Sequence, residues 1–443
     1  MLAAARATTK APPAVALLIA AFLCPTEFSV FLGDLRLPPH RIALLIITPF
    51  ALMRLARQRG LKFCDFDAWF ALFNVWTVGV FVQHLGQYDG LVYGGSLALE
   101  SFGAYLVARV YIRTPQDFDA AIAVLLTAIA IAALIALPET LFGQTFTHDL
   151  LKSVTGYAHP TAVETRLHLT RAYGTFDHPI HYGTFCAGML AFVWFASRNR
   201  EQARNRVALL VGATFLGLSS GPILCLILQA AMLVWEKMTR GVASRTTMTL
   251  ATLAGLYLCA SMVMSRSPIN LIATGLTLDS WTGFYRLQIW EHGLENVYAS
   301  PWIGIGLEEW QRPWWMISST IDALWLVIAI REGVPAVALL ALGVAAMTRA
   351  VVRKGLRGPD RAVRRIARGW IMSLIALALV ACTVHFWNVL YAYFFFFVGL
   401  AGWMADPTPE RQAAPVAQRL VTKGARRGGR FAYPLQAGEP APA

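Results

Sequence analysis

The chain has 443 residues, of which 57% are hydrophobic and only 14% charged, where a water-soluble domain carries roughly 25% charged residues. That balance excludes an ordinary soluble enzyme and describes an all-α polytopic membrane protein. The formal net charge of +13 would suggest nucleic acid in a soluble chain. Here most of it sits in short loops between apolar spans, where it sets topology and meets anionic lipid.

Apolar stretches in chain order predict twelve transmembrane helices. They lie at about 14–32, 41–53, 66–83, 91–108, 118–137, 177–197, 207–219, 221–236, 248–264, 320–348, 369–386 and 388–404, judged against the ~20 apolar residues that cross a bilayer. The first, Val15–Val30, continues into chain of the same character, so no cleavable signal is indicated. Ser219-Ser220-Gly221-Pro222 reads as the turn between the seventh and eighth spans. Two long polar stretches, at about 138–176 and 265–320, interrupt the pattern.

With both termini placed in the cytoplasm, 29 of the 38 basic residues fall in cytoplasmic segments, the asymmetry that membrane insertion favours. Residues 1–404 are therefore expected to form a single transmembrane helical domain. The Pro-, Gly-, Ala- and Arg-rich 405–443 is expected to be a disordered cytoplasmic tail. Arg361, Arg364, Arg365 and Arg368 form a cytoplasmic anchor for anionic head groups.

The two long loops then lie on the opposite face, where basic residues are disfavoured, yet they hold Lys152, Arg166, Arg171, Arg266, Arg286 and Arg312. Guanidinium groups kept on that side point to a bound anion, with phosphate the leading choice.

The first loop runs into the sixth span through Arg171-Ala-Tyr-Gly-Thr-Phe-Asp-His178-Pro179-Ile-His181. Arg171, His178 and His181 gather there either as a ligand site or as an interfacial anchor. In the second loop Arg286 and Trp290 stand four residues apart, hence on one helical face. Leu287–Val297 reads as an amphipathic surface helix, after which Pro301, Gly304 and Gly306 turn the chain back.

Asp322 opens the tenth span, either as a carboxylate that offsets the helix dipole or as a base. Arg331 and Glu332 lie within that span, and Glu100 within the fourth; Arg109 or a basic group elsewhere is the expected partner of Glu100. His84, His148 and His385 read as structural. Gly304-Ile305-Gly306 lacks the third glycine of a dinucleotide fingerprint, and no phosphate-loop motif occurs. None of the six cysteines forms a C-x-x-C pair. Neither cofactor nor metal is expected.

Taken in order, Arg171–Pro179, Arg286–Trp290, Pro301–Gly306 and Asp322–Gly333 resemble the O-antigen ligase and polysaccharide polymerase superfamily of bacterial inner membranes. The resemblance covers roughly residues 165 to 335. Two departures stand out. Asp322-Ala323 replaces a common His-Asn, and Pro179-Ile180 replaces Pro-Asn. The missing histidine favours an exopolysaccharide polymerase-like branch over the ligases.

The resemblance implies a membrane glycosyltransferase of the GT-C-like architecture, acting on the periplasmic face. Its donor would be an oligosaccharide linked through pyrophosphate to undecaprenol, and its acceptor a second lipid-linked repeat unit. Arg171 and Arg286 would hold the pyrophosphate, with Arg166 a weaker third. His178, His181 and Trp290 would complete the substrate contacts, and Asp322 would be the base. Membrane lipid, chain-length regulators and export proteins are the implied partners. A ligase acting on the lipid-A core, a flippase of lipid-linked sugar and a non-catalytic scaffold remain as rival readings.

Overall fold

A computed structural model describes residues 10–57, 61–157, 161, 163–242, 248 and 280–405. The predicted ninth span, the tail from 406 and Arg266 lie outside the described residues. Among those described, eight helices are long and apolar enough to cross a membrane, as a multi-pass membrane protein requires. The described part belongs to one unit that ends at Asp406.

The first span is shorter than expected. α1 (Pro13–Leu23) stops before Pro25, and a hairpin of β1 (Val30–Leu32) and β2 (Leu35–Leu37) follows in its place. The hairpin tip is Gly33-Asp34, a turn dipeptide. α2 (Pro39–Ala56), α3 (Asp65–Leu85) and α4 (Gln87–Ala98) match predicted spans, and α4 runs on through a π-helical turn into α5 (Ala104–Tyr111). That turn carries Glu100, which pairs with Arg41 (2.7 Å) and His40 (2.9 Å). The Arg109 guanidinium pairs instead with Asp67, at 3.3 Å.

α6 (Pro115–Phe142) is capped by Thr114, whose hydroxyl accepts the Asp117 amide, and it passes straight through Pro138. The polar loop therefore starts one turn later than read from sequence. α7 (Phe146–Thr155) and a second hairpin, β3 (Thr165–Arg166) and β4 (Leu169–Thr170), make up much of that loop. The chain is thus helical but not wholly so.

The sixth span is α8 (Pro179–Ala187) followed by α9 (Leu190–Ala196). α10 (Arg200–Leu216) and α11 (Ser220–Met238) are separate helices, as the Ser-Ser-Gly-Pro sequence required. Leu218 makes the turn between them at φ 40°. The amphipathic helix of the second loop is longer than expected and forms α12 (Ser280–Ala299).

The predicted tenth span is two helices. α13 (Leu324–Glu332) ends at Gly333, whose φ of 85° breaks the helix, and α14 (Val334–Ala350) continues through a π-helical turn to Leu356. Arg331 and Glu332 sit at this break. The last carbonyls of α13 still find donors. Ile330 O accepts the Ile305 amide (2.8 Å), Arg331 O the Gly306 amide (3.0 Å) and Glu332 O the Trp76 indole (3.0 Å). A broken helix within an apolar bundle survives only when its freed backbone groups are re-satisfied in this way. The Pro301–Gly306 motif is therefore a clamp on the break.

A side chain at Gly304 would collide with the Ile330 and Arg331 carbonyls, and one at Gly333 with the Trp302 carbonyl. Both residues have positive φ. Gly304→Ala is expected to cost more than ~1 kcal/mol, seen as a lower melting temperature of the purified protein in detergent.

α15 (Arg361–Val380) packs on α9, and α16 (Asn388–Gly399) packs on α5. α15 starts ahead of the expected 369–386 and ends before its close, so only its first two turns precede the expected span. α16 continues to Ala405, and 89% of this span is buried, as is 83% of Pro179–Ala196, against 28% for Val334–Leu356. Two central helical columns are thus ringed by helices with outward-facing apolar residues such as Ile46, Phe50, Val75 and Leu134. Helices apolar on both faces suit lipid on one side and protein on the other.

Candidate functional site

The arginines of the two loops fall within electrostatic range of one another. Arg171 is held by its own backbone: its amide donates to Glu164 O at 3.0 Å, and the next residue, Ala172, donates to Leu216 O at 3.1 Å. The carboxylate of Glu139, near the end of α6, accepts the amides of Tyr173 (3.0 Å) and Gly174 (2.8 Å). Loop strand, helix end and the α10–α11 turn thus converge to aim one side chain.

Arg171 is only 4% exposed and ion-pairs through Nη1 with Glu164, whose side chain is 51% exposed. Among the described residues its Nε and Nη2 have no hydrogen-bond partner. Arg286, on α12, is 8% exposed, and among the described residues its Nε likewise lacks a hydrogen-bond partner. Asp322 Oδ2 stands 3.9 Å from that Nε.

Arg286 feels the Arg171 charge. Burial chiefly, and then Arg171, lowers its proton affinity, while Asp322 raises it. Two residues 115 positions apart in sequence thus share one electrostatic site. Burial raises the Asp322 pKa above the ordinary 3.8, with Arg286 opposing. A buried guanidinium with unmade hydrogen bonds is costly. The arrangement is relieved by an anion that offers several acceptor oxygens.

Asp322 does not cap α13. The cap residue is Ala323, and no side chain caps that helix. This removes the capping role from the two readings of Asp322 and leaves it facing Arg286.

The other predicted residues fall around this centre. His178 caps α8, its Nδ1 accepting the Ile180 amide at 3.1 Å. The His181 Nε2–H donates to His385 O at 3.0 Å, and the His181 ring lies 3.6 Å from the Trp387 ring. Trp290 donates its indole N–H to Cys382 O at 2.7 Å, pinning α12 to the segment after α15. Arg166 reaches Leu218 O at 3.4 Å and so ties the β3–β4 hairpin to the α10–α11 turn. Arg312 pairs with Glu309 at 2.7 Å.

Several contributors are missing from the sequence reading. Glu139 follows Pro138 at what reads as a span end, a position where an unexpected carboxylate is itself a signal. Glu164 gives no signal. His385 and Trp387 carry the His181 contacts although His385 reads as structural; burial, then the Arg331 charge, lowers its pKa to about 3, so its ring is neutral.

Glu139→Ala would strand two buried amides, each worth ~1–3 kcal/mol. A loss of at least ~2 kcal/mol in stability is expected, measurable by thermal unfolding of the purified protein.

Among the described residues no three His, Cys, Asp or Glu side chains are grouped to hold a metal ion. Comparison with models of known protein families gives no match, and comparison with curated proteins gives none either.

Proposed function

We propose that this chain is a membrane glycosyltransferase that polymerises undecaprenyl-pyrophosphate-linked repeat units into exopolysaccharide or O-antigen. The observation that carries this reading is that Arg171 and Arg286, both buried and both with N–H groups lacking a partner among the described residues, fall within electrostatic range of one another, with Asp322 beside Arg286. The reading places the site on the periplasmic face of a bacterial inner membrane. Its finer topology is twelve spans, both termini in the cytoplasm and the two arginine loops outside.

In this reaction the two guanidinium groups bind the donor pyrophosphate, by bidentate contacts where geometry allows. The acceptor hydroxyl oxygen bonds to the anomeric carbon as the bond from that carbon to the phosphate oxygen breaks. Undecaprenyl pyrophosphate leaves with the electron pair, and Asp322 takes the hydroxyl proton. The arginines stabilise charge that grows on the leaving group. One displacement with no protein nucleophile inverts the anomeric configuration. No step calls for a metal.

The order of motifs, with its resemblance to the ligase and polymerase superfamily, supports the same chemistry. A ligase would differ only in its acceptor. The experiment expresses Arg171→Ala, Arg286→Ala and Asp322→Ala at matched membrane levels and sizes the surface glycan. Single lipid-linked repeats on the periplasmic leaflet are expected. Normal chain length in all three would sink the proposal, and repeats trapped on the cytoplasmic leaflet would make the chain a flippase.

A further inference from the structure

A polar space is lined by the helix that Asp322 leads into and by residues that touch the chain following Arg171. It is a cavity of about 350 Å³ between the β1–β2 hairpin, α4, α13 and the segment after α15, inside the ~300–1,000 Å³ range of small-molecule sites. Leu324 lines it, two residues beyond Asp322, and so do His385, Trp387 and Asn388. These last three touch the Asp177–His181 stretch that follows Arg171 in the chain. His385 O accepts from His181, Trp387 packs at a tilt against the same ring, and Asn388 Nδ2 donates to Asp177 Oδ2 at 2.6 Å.

The lining selects a chemical class. Arg36, Arg41 and Arg331 are matched by Asp34, Glu100 and Glu332. With three cations against three carboxylates, a second pyrophosphate has no advantage there. A polyprenyl tail is excluded by the same charges. Arg331 hydrogen-bonds a neutral group, the Tyr93 hydroxyl, at 3.0 Å. Trp387 keeps 36% of its surface accessible. Donors beside acceptors, with aromatic rings between, suit a ring whose hydroxyls both donate and accept and whose C–H faces are apolar.

We propose that this cavity is the acceptor subsite, holding a neutral saccharide ring of the incoming repeat unit. The proposal rests on the glycosyltransferase reading above, since a transfer needs a second substrate and the arginine pair serves the first.

Ser96 provides the test. It lines the cavity, and among the described residues its hydroxyl bonds only to Val92 O of its own helix, at 2.6 Å. Ser96→Cys protein is purified, reconstituted in nanodiscs and then coupled to a bulky methanethiosulfonate, so that folding precedes the block. Wild-type protein treated alike controls for the native cysteines. Two quantities are read: polymerisation of lipid-linked repeats extracted from Arg286→Ala cells, and binding of undecaprenyl pyrophosphate without glycan.

The expected result is loss of polymer with lipid binding retained, reversed when a reductant removes the label. Unchanged chain length after coupling overturns the subsite. Loss of lipid binding together with polymer also overturns it, because the cavity then belongs to the donor site. A thiol that does not react overturns it too, since a sugar could not enter either. If unlabelled wild type neither polymerises nor binds the lipid, the underlying glycosyltransferase reading fails instead.

Discussion

Arg286→Ala is expected to cut polymer formation by roughly 10²–10³-fold, the scale on which one well-placed donor to a developing anion acts. The reason is positional. Arg286 is buried, its Nε is without a hydrogen bond, and the neighbouring Arg171 charge already makes its own positive charge costly. An anion in the site therefore gains more from this guanidinium than from a solvated one.

Arg286→Lys tests the geometry apart from the charge. If the guanidinium grips two oxygens, lysine should also impair strongly, because a point charge offers no planar fork. Full activity in the lysine variant would reduce Arg286 to a simple counter-charge. The assay is turnover of reconstituted enzyme on lipid-linked repeats, with gel sizing of the products. Arg312 is the comparison. It is already matched by Glu309, and Arg312→Ala should leave chain length unchanged.

Asp322→Asn is expected to slow transfer by about 10²–10⁴-fold, the usual worth of a general base. Asparagine keeps the shape and removes the proton acceptor. If Asp322 served only as counter-ion to Arg286, the neutral variant would keep much of its rate and could even bind the donor more tightly, because the arginine would be freed.

The pH profile separates the two roles. Burial lifts the Asp322 pKa above 3.8, and only the ionised form can accept a proton. Activity should therefore fall on acidification, and do so at a higher pH than an ordinary aspartate would give. It should level off once pH exceeds the raised value. A profile with no acid limb in wild type, or one kept in Asp322→Asn, would remove the base from the mechanism.

Much of the site was legible in the sequence because its chemistry lies in residue types that are rare in their setting. Arg171 and Arg286 stand out in loops where basic residues are disfavoured. Asp322 stands out as a carboxylate at the edge of an apolar run. Glu139 and Glu164 did not stand out, since each acts through a contact that only the folded chain creates. Arg109 shows the limit of spacing arguments. It lies nine residues from Glu100, yet it pairs with Asp67, while Glu100 faces Arg41 from another helix.

Helix boundaries divide along the same line. Hydropathy measures how much apolar chain is present, and it located most spans well. It does not register a single left-handed glycine, so 320–348 read as one helix although Gly333 splits it.

What the sequence determined by itself is the membrane class, the helical content and the short set of candidate residues for the proposed anion site. Composition and local periodicity carry that information, because each span answers to the bilayer before it answers to its neighbours. The tertiary structure decided which of those residues meet. Arg171 and Arg286, 115 residues apart, come within electrostatic range of one another, and Asp322 turns to Arg286 instead of capping α13. Such long-range pairing depends on how the loops pack over the helix ends, which no local pattern encodes.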